Sequence, residues 1–126
     1  MPQLQTQDEI RMVKEYLVLA VMLDLLEHDA AKMQLPGLKM SHLYIRQLRS
    51  IQQGIPERMR ELRREFKRSG IRIVGMERSK THIRADYLCR GYRHEMMLQG
   101  DLVKSEIEVR LERELAIAPK AGEGRP

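Results

Sequence analysis

The chain has 126 residues, of which 42% are hydrophobic, 33% are charged and only 4% are aromatic, and its formal net charge is +5. This length is that of one domain with one core, and this balance of apolar and charged residues is typical of a folded protein. An internal disulfide is excluded because Cys89 is the single cysteine, and the longest apolar run, residues 16–23, is shorter than the ~20 residues of a membrane span. Asp8, Glu9 and Glu15 stand where a secretory leader would be basic, so we expect a cytoplasmic protein with no membrane partner.

The first predicted element is a helix that begins near Gln7 or Asp8. Its apolar residues recur at steps of three and four: Met12, Tyr16, Leu19, Leu23 and Leu26. Further apolar residues widen this face around the helix: Val13, Leu17, Ala20 and Val21. Such a helix must be covered on most sides, so we expect it to be central. Pro36 and Gly37 then predict a chain reversal within residues 34–38.

The second predicted element is one long helix over residues 39–69. Its apolar stripe repeats every 11 residues and comprises Tyr44, Leu48, Ile51, Ile55, Met59, Leu62 and Phe66. A period of 11 keeps the stripe on one side of a nearly straight helix. Because the stripe continues through Gly54 and Pro56, we predict a single helix that is kinked at Pro56 and stopped by Gly70.

The next segment is predicted to be a β-hairpin at about residues 71–89. Residues 83, 85, 87 and 89 are Ile, Ala, Tyr and Cys, and they alternate with more polar positions, which is the period of a half-buried strand. Gly91 indicates a turn, and the pattern after it predicts a long helix from Tyr92 to about Leu115.

Together these elements predict an α+β fold, mostly helical, with a long N-terminal helix, a long kinked central helix, a β-hairpin and a long C-terminal helix. We expect a flexible segment at residues 1–6, a single domain at 7–117 and a disordered tail at 118–126. The apolar residues of the last helix spread over more than half of its circumference, which favours a homo-oligomer.

The positive charge is concentrated in residues 55–90, which hold 11 of the 23 Lys and Arg residues but only 5 of the 18 Asp and Glu, a net charge of +6. On a helical wheel four cations share one flank of the central helix, and the hairpin turn adds two more. We predict that all six contact the phosphates of a nucleic acid: Arg60, Arg63, Arg64, Lys67, Arg78 and Lys80. The same flank is also typical of a solvated helix face or of a surface for an acidic protein partner.

The order of helix, turn, basic helix and hairpin resembles that of a winged-helix DNA-binding domain. With Gly54 at the turn, however, apolar residues are required at the positions of Arg49, Arg60 and Arg63. The resemblance is therefore limited to the order of the elements.

Catalytic and metal-binding motifs are absent from the sequence. Cys89 and His94 lie close in the chain, but one Cys and four scattered His do not make a zinc site. Cys89 also falls on the inward face of its predicted strand, which favours a buried and inert thiol. No Gly-rich phosphate loop or nucleophile motif occurs, so we expect neither an enzyme nor a cofactor.

The sequence thus predicts a small, non-enzymatic cytoplasmic regulatory protein that acts by binding, with nucleic acid as the first candidate partner. The alternative is a protein-interaction module, an adaptor or inhibitor that presents the basic flank or its Met-rich helices to another protein.

Overall fold

The computed structural model describes residues 5–117, which form three helices and one antiparallel sheet. In chain order the elements are α1 (Gln7–Lys32), α2 (Ser41–Ser69), β1 (Ile71–Arg78), β2 (His82–Cys89), β3 (Tyr92–Gln99) and α3 (Gly100–Glu114). The predicted α+β, mostly helical fold is confirmed. The predicted tail at 118–126 and the first four residues of the predicted flexible segment 1–6 lie outside the described residues.

Helix α1 is the centre of the core. It begins with a capping box, in which the Thr6 hydroxyl accepts from the Glu9 backbone N–H at 3.1 Å and the Glu9 carboxylate accepts from the Thr6 N–H at 2.8 Å. Its buried apolar residues are spread around the helix: Val13, Leu17, Val18, Leu19, Met22, Leu26 and Ala30. The prediction that this helix is covered on most sides is confirmed.

Helix α2 is continuous from Ser41 to Ser69 and begins two residues after the predicted start. Its predicted stripe packs on α1 through the buried Ile51, Ile55, Leu62 and Phe66. Pro56 lies inside the helix, and Gly70 ends it in the left-handed conformation with φ of 76°. Gly54, where a winged-helix domain would need its turn, lies inside this continuous helix, so a winged-helix turn at that position is excluded.

Strands β1 and β2 form the predicted hairpin and pair in antiparallel register from Ile71 opposite Cys89 to Arg78 opposite Ile83. A bulge between Ile73 and Gly75 interrupts the ladder. The buried face of β2 carries the four residues at 83, 85, 87 and 89 and lies against the helices.

The third strand corrects the prediction that the last helix starts at Tyr92. Residues 92–99 form β3, which pairs with β2, and α3 begins only at Gly100. The connection is a two-residue turn in which Arg90 and Gly91 both have positive φ, 51° and 87°. Such turns match the twist of paired strands. The sheet is therefore a three-stranded meander in the order β1-β2-β3, and not a lone hairpin.

Helix α3 covers another side of α1 and the end of the sheet. Val103 and Ile107 are its buried residues, and its Arg110 binds Glu15 of α1 through both carboxylate oxygens, at 2.9 and 2.5 Å. Within residues 5–117, no helix combines the length and hydropathy needed to cross a membrane.

A partly buried ion pair ties the start of α1 to the end of α2 and to the β2–β3 turn. Glu9 is 8% exposed, and its carboxylate accepts two hydrogen bonds from Arg90, at 2.6 and 3.0 Å. The same guanidinium donates to the Ser69 carbonyl at 3.0 Å, and the Arg90 backbone N–H donates to the Gly70 carbonyl at 2.8 Å. The hydrogen bonds from Arg90 lower the pKa of Glu9 from 4.5 to about 2. Loss of this charge should therefore destabilise the fold.

We predict that Glu9→Gln lowers the free energy of unfolding by about 2 kcal/mol at neutral pH. A carboxyl group with a lowered pKa in the folded protein stabilises it above the unfolded pKa of 4.5, and this contribution is lost as the pH falls to about 2. Urea unfolding at several pH values measures both effects. Asp8→Asn is the control and should change stability little, because among the described residues Asp8 pairs only with the exposed Arg11. Equal effects of the two substitutions would contradict the prediction.

Candidate nucleic-acid interface

The four predicted cations of the α2 flank are all exposed, but they differ in whether they form ion pairs. Arg60 and Arg64 both form ion pairs with Glu57, one or two helical turns away. Such pairs are solvated and contribute little to stability, yet they place a carboxylate between the two guanidinium groups. Arg63 and Lys67 form no ion pair with any described residue and face the neighbouring strand.

The two predicted cations of the hairpin lie apart from this flank. Arg78 forms an ion pair with Asp24 of α1, so its charge is used to hold β1 against the helix. Lys80, in the β1–β2 turn, lines a separate depression together with Asp101. The structure therefore does not bring all six predicted residues into one surface.

A groove between α2 and β1 brings two of the predicted cations together with a third. Arg63 and Lys67 form one wall, Arg72 of β1 stands on the other, and the volume is about 560 Å³. We call it the cationic groove, and its lining residues are Tyr16, Arg63, Phe66, Lys67, Gly70, Ile71, Arg72 and Ile73. None of these residues is acidic, so the groove offers positive charge above an apolar floor.

The floor of the cationic groove orients one of its cations. The Arg63 guanidinium donates to the Tyr16 hydroxyl at 3.1 Å, and the Tyr16 ring meets Phe66 edge to face, with centroids 5.4 Å apart. Phe66 is buried in the core, so the Tyr16 ring packs against a fixed side chain. This contact holds Arg63 at the groove without neutralising its charge.

The positive surface continues from the groove over the outer face of the sheet. Arg72 also lines a second depression of about 320 Å³, together with Arg84 and Arg93. Arg84 is bound to Asp86 and, at 2.8 Å, to Glu95, and the hydrogen bond to Asp86 raises its pKa. Within the described part of the chain neither Arg72 nor Arg93 forms an ion pair, so both remain available to an anion.

Sequence reasoning missed Arg72 and Arg93 for different reasons. Arg72 lies in the segment predicted to be a strand, but only the three-dimensional packing shows that this strand runs beside α2. Arg93 was assigned to the last helix, and its place on the sheet follows from the turn at residues 90–91.

Cys89 lies in the core of the protein. This thiol is fully buried and donates to Glu9 at 3.7 Å, and burial raises its pKa. His94 stacks on Tyr87 instead, with ring centroids 5.5 Å apart. Across residues 5–117 no group of His, Cys, Asp and Glu side chains could hold a metal ion.

Comparison with known protein families finds a match over most of the chain. A family model described as YhjD protein matches residues 4–118 of the chain, a span that includes every described helix and strand. No curated protein and no solved structure matches the chain.

We predict that Cys89 of the native protein resists alkylation by iodoacetamide and reacts fully once the protein is unfolded in denaturant. Burial keeps the thiol protonated and out of reach, and the thiolate is the reactive form. Mass spectrometry of the intact protein before and after unfolding measures the label. Rapid labelling of the native protein would contradict the prediction and would support a nucleophilic role for Cys89.

Proposed function

The chain belongs to the YhjD protein family, and we propose that it is a small regulatory protein that binds nucleic acid at the cationic groove. The observation that supports this proposal is the convergence of Arg63, Lys67 and Arg72 on a groove that no acidic residue lines within residues 5–117. The proposal does not include a catalytic activity. It does include a cytoplasmic location, which we expect from the sequence.

A phosphate backbone suits this groove chemically. Arg63 and Lys67 are four residues apart on one helix, so their side chains are neighbours, and Arg72 approaches from the opposite wall. Arg recognises phosphate oxygens with two parallel hydrogen bonds, whereas Lys contributes a point charge. Contacts of this kind set affinity and register but carry little sequence information. We therefore expect binding with weak sequence preference.

An acidic protein segment is the alternative ligand, and the position of β1 favours it. This strand is at the edge of the sheet, so an extended peptide could add to it beside the cationic groove. The bulge between Ile73 and Gly75 argues against such pairing, because bulges distort the edge that a new strand needs. Nucleic acid therefore remains the leading candidate.

Self-association is also part of the proposal. Leu102 and Val109 of α3 are 67% and 44% exposed, and a spacing of seven residues places them on one side of the helix. A second copy of the chain would cover this stripe.

We predict that sedimentation velocity at tens of micromolar shows a dimer or larger species, and that Leu102→Glu together with Val109→Glu shifts it to the monomer. The physical reason is the cost of burying two carboxylates in an apolar contact. Sedimentation of the unsubstituted protein as a monomer would contradict self-association.

We predict that the protein binds labelled single-stranded and duplex DNA with an affinity that falls steeply between about 50 and 200 mM salt, because phosphate contacts release counterions. Fluorescence anisotropy of the labelled DNA measures the affinity at each salt concentration. Substitution of Arg63, Lys67 and Arg72 by Ala should weaken binding at least about tenfold and flatten the salt dependence.

The matched control is the substitution of Arg60, Arg64 and Arg78 by Ala. It removes the same net charge from cations that are already bound to Glu57 or Asp24, and it should weaken binding only about threefold or less. Circular dichroism verifies that both variants fold. Equal losses in the two variants would indicate non-specific attraction to a basic protein, and no binding at the lower salt would refute the proposed function.

A further inference from the structure

The turn between α1 and α2 carries a cluster of exposed apolar side chains. Five large residues within ten positions of the chain are 45% to 59% exposed. We call them the tip patch: Leu35, Leu38, Met40, Leu43 and Tyr44. Scattered apolar residues are normal on a surface, but a contiguous group indicates an interaction site.

The tip patch is exposed because the apolar stripe of α2 extends beyond the elements that cover it. Tyr44 is the first member of the stripe, and it is 49% exposed, whereas Ile51, two turns later, is 9% exposed. The end of α3 lies beside residues 51–58 of α2 and α1 ends at Lys32. Met40, Leu43 and Tyr44 then stand together, because they are three and four residues apart at the helix start.

The charge around the tip patch is mainly positive, and the nearest carboxylate in the chain is the exposed Asp29 in the last turn of α1. From residue 30 to residue 56 the chain contains no Asp or Glu, whereas Lys32, Lys39 and Arg46 lie within or beside the patch. Helix α2 has no acidic residue in its first turn, and no described side chain caps its start. The first N–H groups of a helix lack intrahelical acceptors and carry partial positive charge. The patch is therefore apolar with a positive rim.

We propose that the tip patch is a docking site for an acidic amphipathic helix of a partner protein. The apolar face of such a helix would cover Leu38, Leu43 and Tyr44, and its carboxylates would face Lys39, Arg46 and the uncapped N–H groups of α2. Met40 adapts its shape to an apolar partner. This binding mode is that of an amphipathic helix in an apolar groove.

Two other occupants fit the charge pattern less well. A second copy docked tip to tip would bring like charges together, because Lys32, Lys39 and Arg46 outnumber the one nearby carboxylate, Asp29. A membrane surface attracts clusters of about four to eight cations, more than the three near the patch, and a diffuse lipid surface does not supply a fixed carboxylate for the helix start.

The tip patch is distinct from the cationic groove. Residues 43 and 65 are separated by roughly 30 Å along α2. Substitutions at the tip therefore leave Arg63, Lys67 and Arg72 in place, and the two sites can be tested independently.

The test uses a synthetic helical peptide of about 18 residues, with Leu on one face and Glu on the other. A second peptide has Lys in place of every Glu. Isothermal titration calorimetry of both peptides compares the unsubstituted protein with the Leu38→Ser, Leu43→Ser variant. The matched control is Tyr92→Ser with Met97→Ser, which removes two large apolar side chains of similar exposure, 53% and 54%, from β3.

We expect the Glu peptide to bind at least about tenfold more tightly than the Lys peptide, and the tip variant to lose at least about tenfold in affinity. The β3 control should bind within about twofold of the unsubstituted protein. Equal binding of the two peptides, an unchanged tip variant, or no binding of the Glu peptide up to about 1 mM would overturn the proposal. Vesicles of phosphatidylserine are included, and tip-dependent binding of vesicles without binding of the Glu peptide would also overturn it.

Discussion

Helix α1 has apolar side chains around most of its circumference, and the positions of the other elements follow from the need to keep these side chains from water. Val13 and Leu17 are completely buried, and Val18 and Leu26 are 1% exposed. No single helix or sheet covers a cylinder on so many sides. The stripe of α2, the inner face of the sheet and α3 each supply part of that cover. The cationic groove is the place where α2 and β1 approach α1 from two sides and leave Tyr16 accessible between them.

Charged contacts complement this apolar packing. Four acidic residues along α1 each bind an arginine from a different element: Glu9 binds Arg90 of the β2–β3 turn, Glu15 binds Arg110 of α3, Asp24 binds Arg78 of β1 and Glu27 binds Arg49 of α2. Hydrophobic burial is non-directional, whereas these pairs favour one register of each element on α1. An arginine that serves this purpose is not available to a ligand, which separates Arg78 from the cations of the groove.

The sequence predicted the helices well where a long periodic pattern was present. The 11-residue repeat of α2 was strong enough to indicate a continuous helix through Gly54 and Pro56. The same reasoning failed at residues 92–99, because an Arg-Gly pair is a weak signal for a two-residue hairpin turn compared with Asn-Gly or Asp-Gly. Of the candidate site, the sequence predicted the pair Arg63 and Lys67, because helical periodicity places them on one flank. It did not predict Arg72, because periodicity contains no information about which strand packs beside α2. Ion pairs between distant residues, such as Arg78 with Asp24, follow from tertiary packing and have no local signature.

The most direct test of the cationic groove is an amide ¹H–¹⁵N NMR titration of the full chain with a short single-stranded oligonucleotide at low salt. The proposed site predicts that the largest shift changes fall on residues around Tyr16, Arg63, Lys67 and Arg72, and continue toward Arg93 on the sheet. The tip between α1 and α2 should remain unchanged. Shift changes centred on Arg60, Arg78 or the tip, or no changes at saturating oligonucleotide, would contradict the assignment of the groove as the nucleic-acid interface.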